Sequence, residues 1–182
     1  MGMVLTVPRY SIAELDEFPS DSNRYELLDG MLMVTPLAGS PHQGVATRLA
    51  MEIAIALQKP GLAHVYAPGV VQYFPFTQLE PDVLVVPSRF PIGAPWAQMT
   101  EHWLAVEVFS RSSHRYDRDF KRDAYLALGV QEVWLVDIRG KSVEVCRAPG
   151  AGTVVRDVID WRIPSLDRAV RIDLAEIFAG LA

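Results

Sequence analysis

Cysteine is nearly missing from this 182-residue chain. Cys146 stands alone, which excludes an internal disulfide and a cysteine zinc cluster. Histidine is sparse as well, and His64, His102 and His114 share no metal-ligand spacing. No apolar run approaches the roughly 18 residues that a spanning helix needs, because Arg48 and Glu52 interrupt the longest candidate. No membrane contact is expected. The first thirty residues hold no basic segment followed by a long apolar run, so the default expectation is a cytoplasmic protein. Excess positive charge is lacking too. A net charge of −5 argues against a protein that coats DNA indiscriminately, yet it leaves room for a local basic strip. There is no repeat, no low-complexity segment and no linker able to divide the chain.

The 50% hydrophobic content suffices for a full core, and the length suits one domain over residues 1–182. A short capped helix is expected from Ser11, followed by a hairpin over "RYELLDGMLMVTP" that turns at Asp29-Gly30. In "SPHQGVATRLAMEIAIALQKPG", Ser40 is the expected N-cap and Pro41 lies in the first turn. Val45, Leu49, Ile53 and Leu57 give that helix its apolar stripe, and Pro60-Gly61 stops it. "AHVYAPGVVQYF" reads as a strand or bent hairpin, while "PDVLVV" and "HWLAVEVF" read as two central strands. A second helix over about 115–128 carries Tyr116, Phe120, Ala124 and Ala127 as its stripe, with Gly129 just beyond its end. "QEVWLVDI" and "SVEVCR" add strands, and "RIDLAEIFAGLA" closes in a short helix. The class is α/β, a mixed sheet flanked by helices.

Two acids stand where burial is expected. Asp82 opens one apolar strand, and Glu107 sits within the next. Alternation sends Trp103, Ala105, Glu107 and Phe109 to one face, and Leu104, Val106 and Val108 to the other. An ionised carboxylate withdrawn from water costs several kcal/mol unless something compensates it. If the two strands are neighbours, the acids converge, and like charges in a dry site need a cation between them or a shared proton. A hard divalent ion such as Mg²⁺ suits a site with only one or two protein carboxylates.

The helix that follows supplies opposite charge. Asp117, Lys121 and Tyr125 share one face, so Lys121 can reach over the sheet toward the acids. Arg115, Arg118 and Arg122 line a second face, and from Arg111 to Arg122 five positive charges stand against two negative. Such a strip can hold phosphates.

An acid after proline in one strand, an acid in the next and a lysine nearby resemble the PD-(D/E)XK superfamily of restriction-endonuclease-like nucleases. "RYELLDG", "PHQGVATRLA", "EPDVLVV", "LAVEVFSRSS", "DRDFKRDAYLALGVQEVWLVD" and "IDLAEIF", in that order, resemble the Uma-two family of bacterial proteins assigned as endonucleases. The similarity runs from about Ile12 to Phe178. It implies a restriction-endonuclease-like core with an N-terminal helix and hairpin added. It also implies metal ligation by Asp82 and Glu107, with Val108 a third position at the metal. The superfamily's lysine two residues after the second acid would fall at Phe109, and the resemblance places Lys121 in that role instead. Glu26 matches a further acidic position near the metal, and His42 a polar position at the start of the helix. Arg111, Arg115, Arg118, Arg122, Tyr125 and His42 are the nucleic-acid-binding candidates. "SRSS" departs from the commoner "SPST" of that family. The implied activity is Mg²⁺- or Mn²⁺-dependent hydrolysis of nucleic acid, expected to be DNA, leaving a 5′-phosphate and a 3′-hydroxyl.

Blander readings stand beside this one. Asp82 alone could cap its strand, Glu107 could pair with an arginine, and Lys121 could be a solvated helix residue. The arginine face could be an ordinary surface laced with Asp117, Asp119 and Asp123. At the level of function, the alternatives are a nucleic-acid-binding or regulatory module that does not cut, and a structural domain whose buried acids form ion pairs. A homodimer through "SVEVCR" as an edge strand is a further expectation.

Overall fold

The computed structural model describes residues 8–15, 17–109, 115–150, 152–163 and 165–181, without the side chains of 115–118. Helix α1 (Ile12–Leu15) is closed by Glu14, whose carboxylate accepts from both the backbone and the hydroxyl of Ser11. Strands β1 (Asn23–Leu28) and β2 (Met31–Pro36) form the expected hairpin. Its two turn residues, Asp29 and Gly30, have φ of 48° and 80°, as a tight primed turn demands. They belong to a four-stranded sheet, β2-β1-β5-β4, completed by β4 (Val71–Tyr73) and β5 (Thr77–Leu79).

Six further strands build the central sheet in the order β10-β9-β8-β7-β6-β3. They are β3 (Ala63–Tyr66), β6 (Val83–Pro87), β7 (Leu104–Phe109), β8 (Val133–Asp137), β9 (Ser142–Cys146) and β10 (Thr153–Val155). Among the described strands only β7 and β8 run parallel, because α3 (Arg115–Ala127) carries the chain between them as a crossover. Helix α2 (Ser40–Ile53), prolonged by a π-helical stretch at Ala54–Gln58, covers the opposite face. A hairpin of β11 (Val158–Arg162) and β12 (Ala169–Asp173), followed by α4 (Leu174–Ile177), packs on that side as well.

The sheet therefore has two dry faces. Val45, Leu49, Ile53 and Leu57 of α2 meet Val83, Val85, Leu104 and Val106, as their helical spacing requires. On the other face, Ala124 and Tyr125 of α3 meet Leu84, Val86, Ala105, Val133 and Leu135.

Several expectations need correction. Ser40 is the first helical residue rather than the cap, and Gly39 precedes it without a side-chain bond. Trp103 lies just outside β7 and packs with Leu104 and Val106, so strict alternation fails there. In α3 the buried apolar residues among those described are Ala124 and Tyr125, while Phe120 is half-buried, Ala127 is exposed and the Tyr116 side chain lies outside the described residues. "SVEVCR" is no edge: β10 covers β9, so the homodimer proposed through it loses its unpaired backbone. Strands β5, β10, β11 and β12 have no counterpart among the expected elements.

Candidate active site

The pairing of β6 with β7 places the two acids. The two strands are antiparallel with Val83 opposite Val106, so one further residue sets Asp82 against Glu107 where the β6–β7 pairing ends. Alternation does the rest. Leu84 and Val86 on one strand, and Ala105 on the other, face α3, and Asp82 and Glu107 share that side. Pro81, which has no N–H to donate, stands just before Asp82.

Asp82 is 5% exposed and fully engaged. Its Oδ2 accepts from the Val108 backbone N–H at 2.8 Å and lies 3.0 Å from His42 Nε2. Its Oδ1 accepts from Arg24 Nη2 at 3.1 Å. Burial alone would raise this carboxyl, but the His42 hydrogen bond and charge, the Val108 N–H and Arg24 outweigh it and hold the pKa below the usual carboxylate value.

Glu107, 4% exposed, behaves oppositely. Its Oε1 accepts from Tyr125 Oη at 2.7 Å and from Lys121 Nζ at 3.3 Å. Burial pushes its pKa up to about 7; Lys121 opposes that rise, and the charges of Asp82 and Glu26 add to it. Two carboxyls on adjacent strands thus have their affinities for a proton driven apart, a pattern typical of working sites.

Lys121 Nζ is the hub of the second half. It reaches both oxygens of Glu26, at 3.0 Å and 2.7 Å, besides Glu107. Burial disfavours its charge, but Glu107 and Glu26 more than compensate, and the pKa is raised. A lysine made basic in this way is a fixed cation, so the acid/base role open to a burial-depressed lysine does not suit it. Glu26 is fully buried, and its Oε1 also accepts from the Glu80 backbone N–H at 2.8 Å. Tyr125, buried behind Glu107, has its phenol raised well above the ordinary value by burial and by the neighbouring carboxylates.

Glu26, His42, Asp82, Glu107, Val108, Lys121 and Tyr125 are therefore gathered at one end of the sheet. Asp82, Glu107, Val108, His42 and Lys121 line a common cavity of about 550 Å³. The arginines divide differently. Arg122 is buried, bonded to Asp119 and Asp123, and does not line that cavity. Arg111 lies outside the described residues, and so do the side chains of Arg115 and Arg118. The residue overlooked in the sequence is Arg24, two positions before Glu26 on β1 and on the same face of that strand. Alternation in "RYELL" was the signal that could have found it. Phe109, Phe120 and Met33, none of them expected at the site from the sequence, give the cavity apolar walls.

The donors offered to a metal here are oxygens. No group of three or more His, Cys, Asp and Glu side chains able to hold an ion occurs among the described residues. Asp82, Glu107 and the main chain of Val108 form instead a sparse oxygen set beside a cavity, which fits the few protein ligands and several waters that Mg²⁺ prefers. Oε2 of Glu107 accepts no hydrogen bond from the described residues, and the two acids on one cavity wall carry charge that a cation would offset.

The fold has a solved counterpart. A crystal structure described as a "putative nuclease belonging to DUF820" from Anabaena variabilis aligns at a TM-score of 0.74 and 16% identity, over 93% of this chain and 97% of that one. At that identity the likeness is one of fold. A search of curated proteins finds no match. The family model for Uma2, described as "Putative restriction endonuclease", matches residues 12–181. A match over nearly the whole length, on a fold that brings the acids and the lysine to one cavity, identifies the chain as a member of the Uma2 family.

Proposed function

We propose that this protein is a metal-dependent endonuclease that hydrolyses phosphodiester bonds of nucleic acid, with DNA as its substrate. The observation that carries the reading is the β6–β7 register, which brings Asp82 and Glu107 together beside Lys121. Asp82, Glu107 and the carbonyl of Val108 would hold Mg²⁺ or Mn²⁺. Bound there, the ion supplies Lewis-acid polarisation of the phosphoryl group and makes water more acidic.

The chain's own residues do the remainder. Lys121, held charged by Glu26 and Glu107, faces the cavity where negative charge would grow on phosphoryl oxygens. Glu26 fixes the lysine's position through its second bond to the Glu80 backbone. Tyr125 orients Glu107, and His42 and the Val108 N–H orient Asp82. Bond cleavage leaving a 5′-phosphate and a 3′-hydroxyl is the outcome this reading carries over from the superfamily.

The direct test is nicking of supercoiled plasmid in Mg²⁺ or Mn²⁺, beside calorimetry with Mn²⁺. Asp82→Ala and Glu107→Ala are expected to lose both ion binding and nicking, and Lys121→Met to lose nicking by about 100-fold or more while still binding the ion. Equal Mn²⁺ binding by wild type and Asp82→Ala would remove Asp82 from the ligand set. A second reading, a module that binds nucleic acid without cutting, has one observation in its favour: both Asp82 oxygens already have partners. It predicts oligonucleotide binding with no nicking of DNA or RNA in either ion.

A further inference from the structure

Arg24 stands between two cavities. One is the 550 Å³ cavity of the acids and Lys121; the other, of about 370 Å³, lies beside it and shares Arg24, Leu37 and Asp82 as walls. Both fall in the size range of small-ligand sites, which begins at about 300 Å³. The two differ in chemistry. The larger has Met33, Phe109 and Phe120 besides its charges, whereas the smaller sets Asp21, Ser22, Asn23, Gln43, Thr47 and Glu80 beside the small apolar Ala46, Ala67 and Pro68. Carboxylates, amides and hydroxyls are the groups that meet base edges and sugar hydroxyls, with acids accepting from exocyclic amines.

The guanidinium at the junction is held but not used up. Nη1 donates to the Glu80 carbonyl at 2.9 Å and Nη2 to Asp82 at 3.1 Å, two of the five donors a guanidinium has. Its Nε lies 3.9 Å from Glu80 Oε2. The side chain is 22% exposed, and the residue lines both cavities. A planar cation fixed in this way is suited to a phosphodiester passing from one cavity to the other. The acids of the smaller cavity would repel a phosphate placed among them, which puts the phosphate at Arg24 and the uncharged part of a nucleotide inside.

We infer that the smaller cavity is a nucleoside subsite, and that Arg24 grips the phosphodiester joining that nucleoside to the group being cut. This rests on the nuclease reading and names where the strand lies beside the cleavage position. It makes Arg24 and Thr47 determinants of substrate binding.

The test is fluorescence anisotropy of an oligodeoxynucleotide duplex with an unpaired tail, titrated with protein in chelator over a series of salt concentrations. Arg24→Gln is expected to weaken binding about tenfold and to lower the log–log salt slope by about one, the value of one phosphate contact. Arg24→Lys should restore the slope but only part of the affinity, since the charge returns without the planar fork. Because Arg24→Gln strips Asp82 of a partner, Thr47→Glu gives an independent arm: Thr47 is exposed on α2, and a carboxylate there should weaken binding several-fold without disturbing the core. Unchanged affinity and slope in a folded Arg24→Gln, or unchanged affinity in Thr47→Glu, overturns the inference alone, with wild-type nicking intact. A wild type that neither binds the oligonucleotide nor nicks plasmid overturns it together with the nuclease reading.

Discussion

At the scale of single residues, the site works by sorting two like acids. Asp82 is surrounded by donors and stays ionised, whereas Glu107, deeper and with fewer partners, titrates near neutrality. The consequence for stability has a definite sign. Glu107 rises from 4.5 to about 7 on folding, so between those values the folded state binds more protons than the unfolded one, and stability falls as pH rises. At about 1.4 kcal/mol per unit the loss reaches roughly 3 to 4 kcal/mol at alkaline pH. Glu107→Gln, which mimics the protonated form, should therefore be more stable than wild type by about that amount at pH 8 in chelator, and no more stable at pH 4. Urea titrations at both pH values check it. A variant that loses activity yet gains stability is what a group retained for chemistry produces.

The sequence revealed the acids for a residue-scale reason: a charge inside an apolar run has no bland place to go. Arg24 was harder to see because it lies in a strand whose other residues are mixed, where one more charge raises no alarm. His42 reads in the sequence as a polar residue at a helix start, but it is buried on Asp82, with Nδ1 unpartnered among the described residues.

At the scale of elements, β6 is tightly constrained, since every residue from Val83 to Pro87 is buried, as in β9. Gly69 shows how tightly its surroundings close. Its N–H bonds to the Pro81 carbonyl at 3.1 Å, and a Cβ added there would collide with the side chain of Leu84. Gly69→Ala should cost about 1 to 3 kcal/mol through overpacking. It should also lower nicking more than that loss explains, because Leu84 lies two residues from Asp82. A thermal melt beside a plasmid assay measures both. Elements were legible where a pattern ran long enough. The α2 stripe and the two central strands announced themselves, whereas β10 has three residues and no buried one, and β11 alternates through "VIDWR" with two charges. Short strands that bury one face against a distant helix leave little trace in local sequence.

At the scale of the whole molecule, acid stability reflects groups far apart in function. His102 is 1% exposed, with neither ring nitrogen hydrogen-bonded among the described residues, and burial depresses its pKa from 6.5 to about 4 despite the charge of Glu101. Between those values the unfolded chain binds the extra proton, so His102 makes stability fall as pH drops. Glu107 makes it rise over nearly the same interval. The two slopes should largely cancel, leaving their joint contribution nearly flat between about pH 4.5 and 6.5. His102→Asn should expose the rise on acidification and Glu107→Gln the fall, each about 2 kcal/mol across the interval. Parallel slopes in the two variants would show that neither group titrates as its surroundings dictate.

The antiparallel register of β6 and β7 also bears on how such a chain can change. Val83 faces Val106, while the stretch between the strands runs over the surface, with Ile92 82% exposed. Extra residues spliced in near Ile92 would leave the acids where they are. One residue deleted from within β6 would turn Asp82 to the α2 side, severing it from Glu107 while leaving an apolar strand that still fits the sheet. Length in this protein is thus negotiable at the rim and forbidden by parity inside.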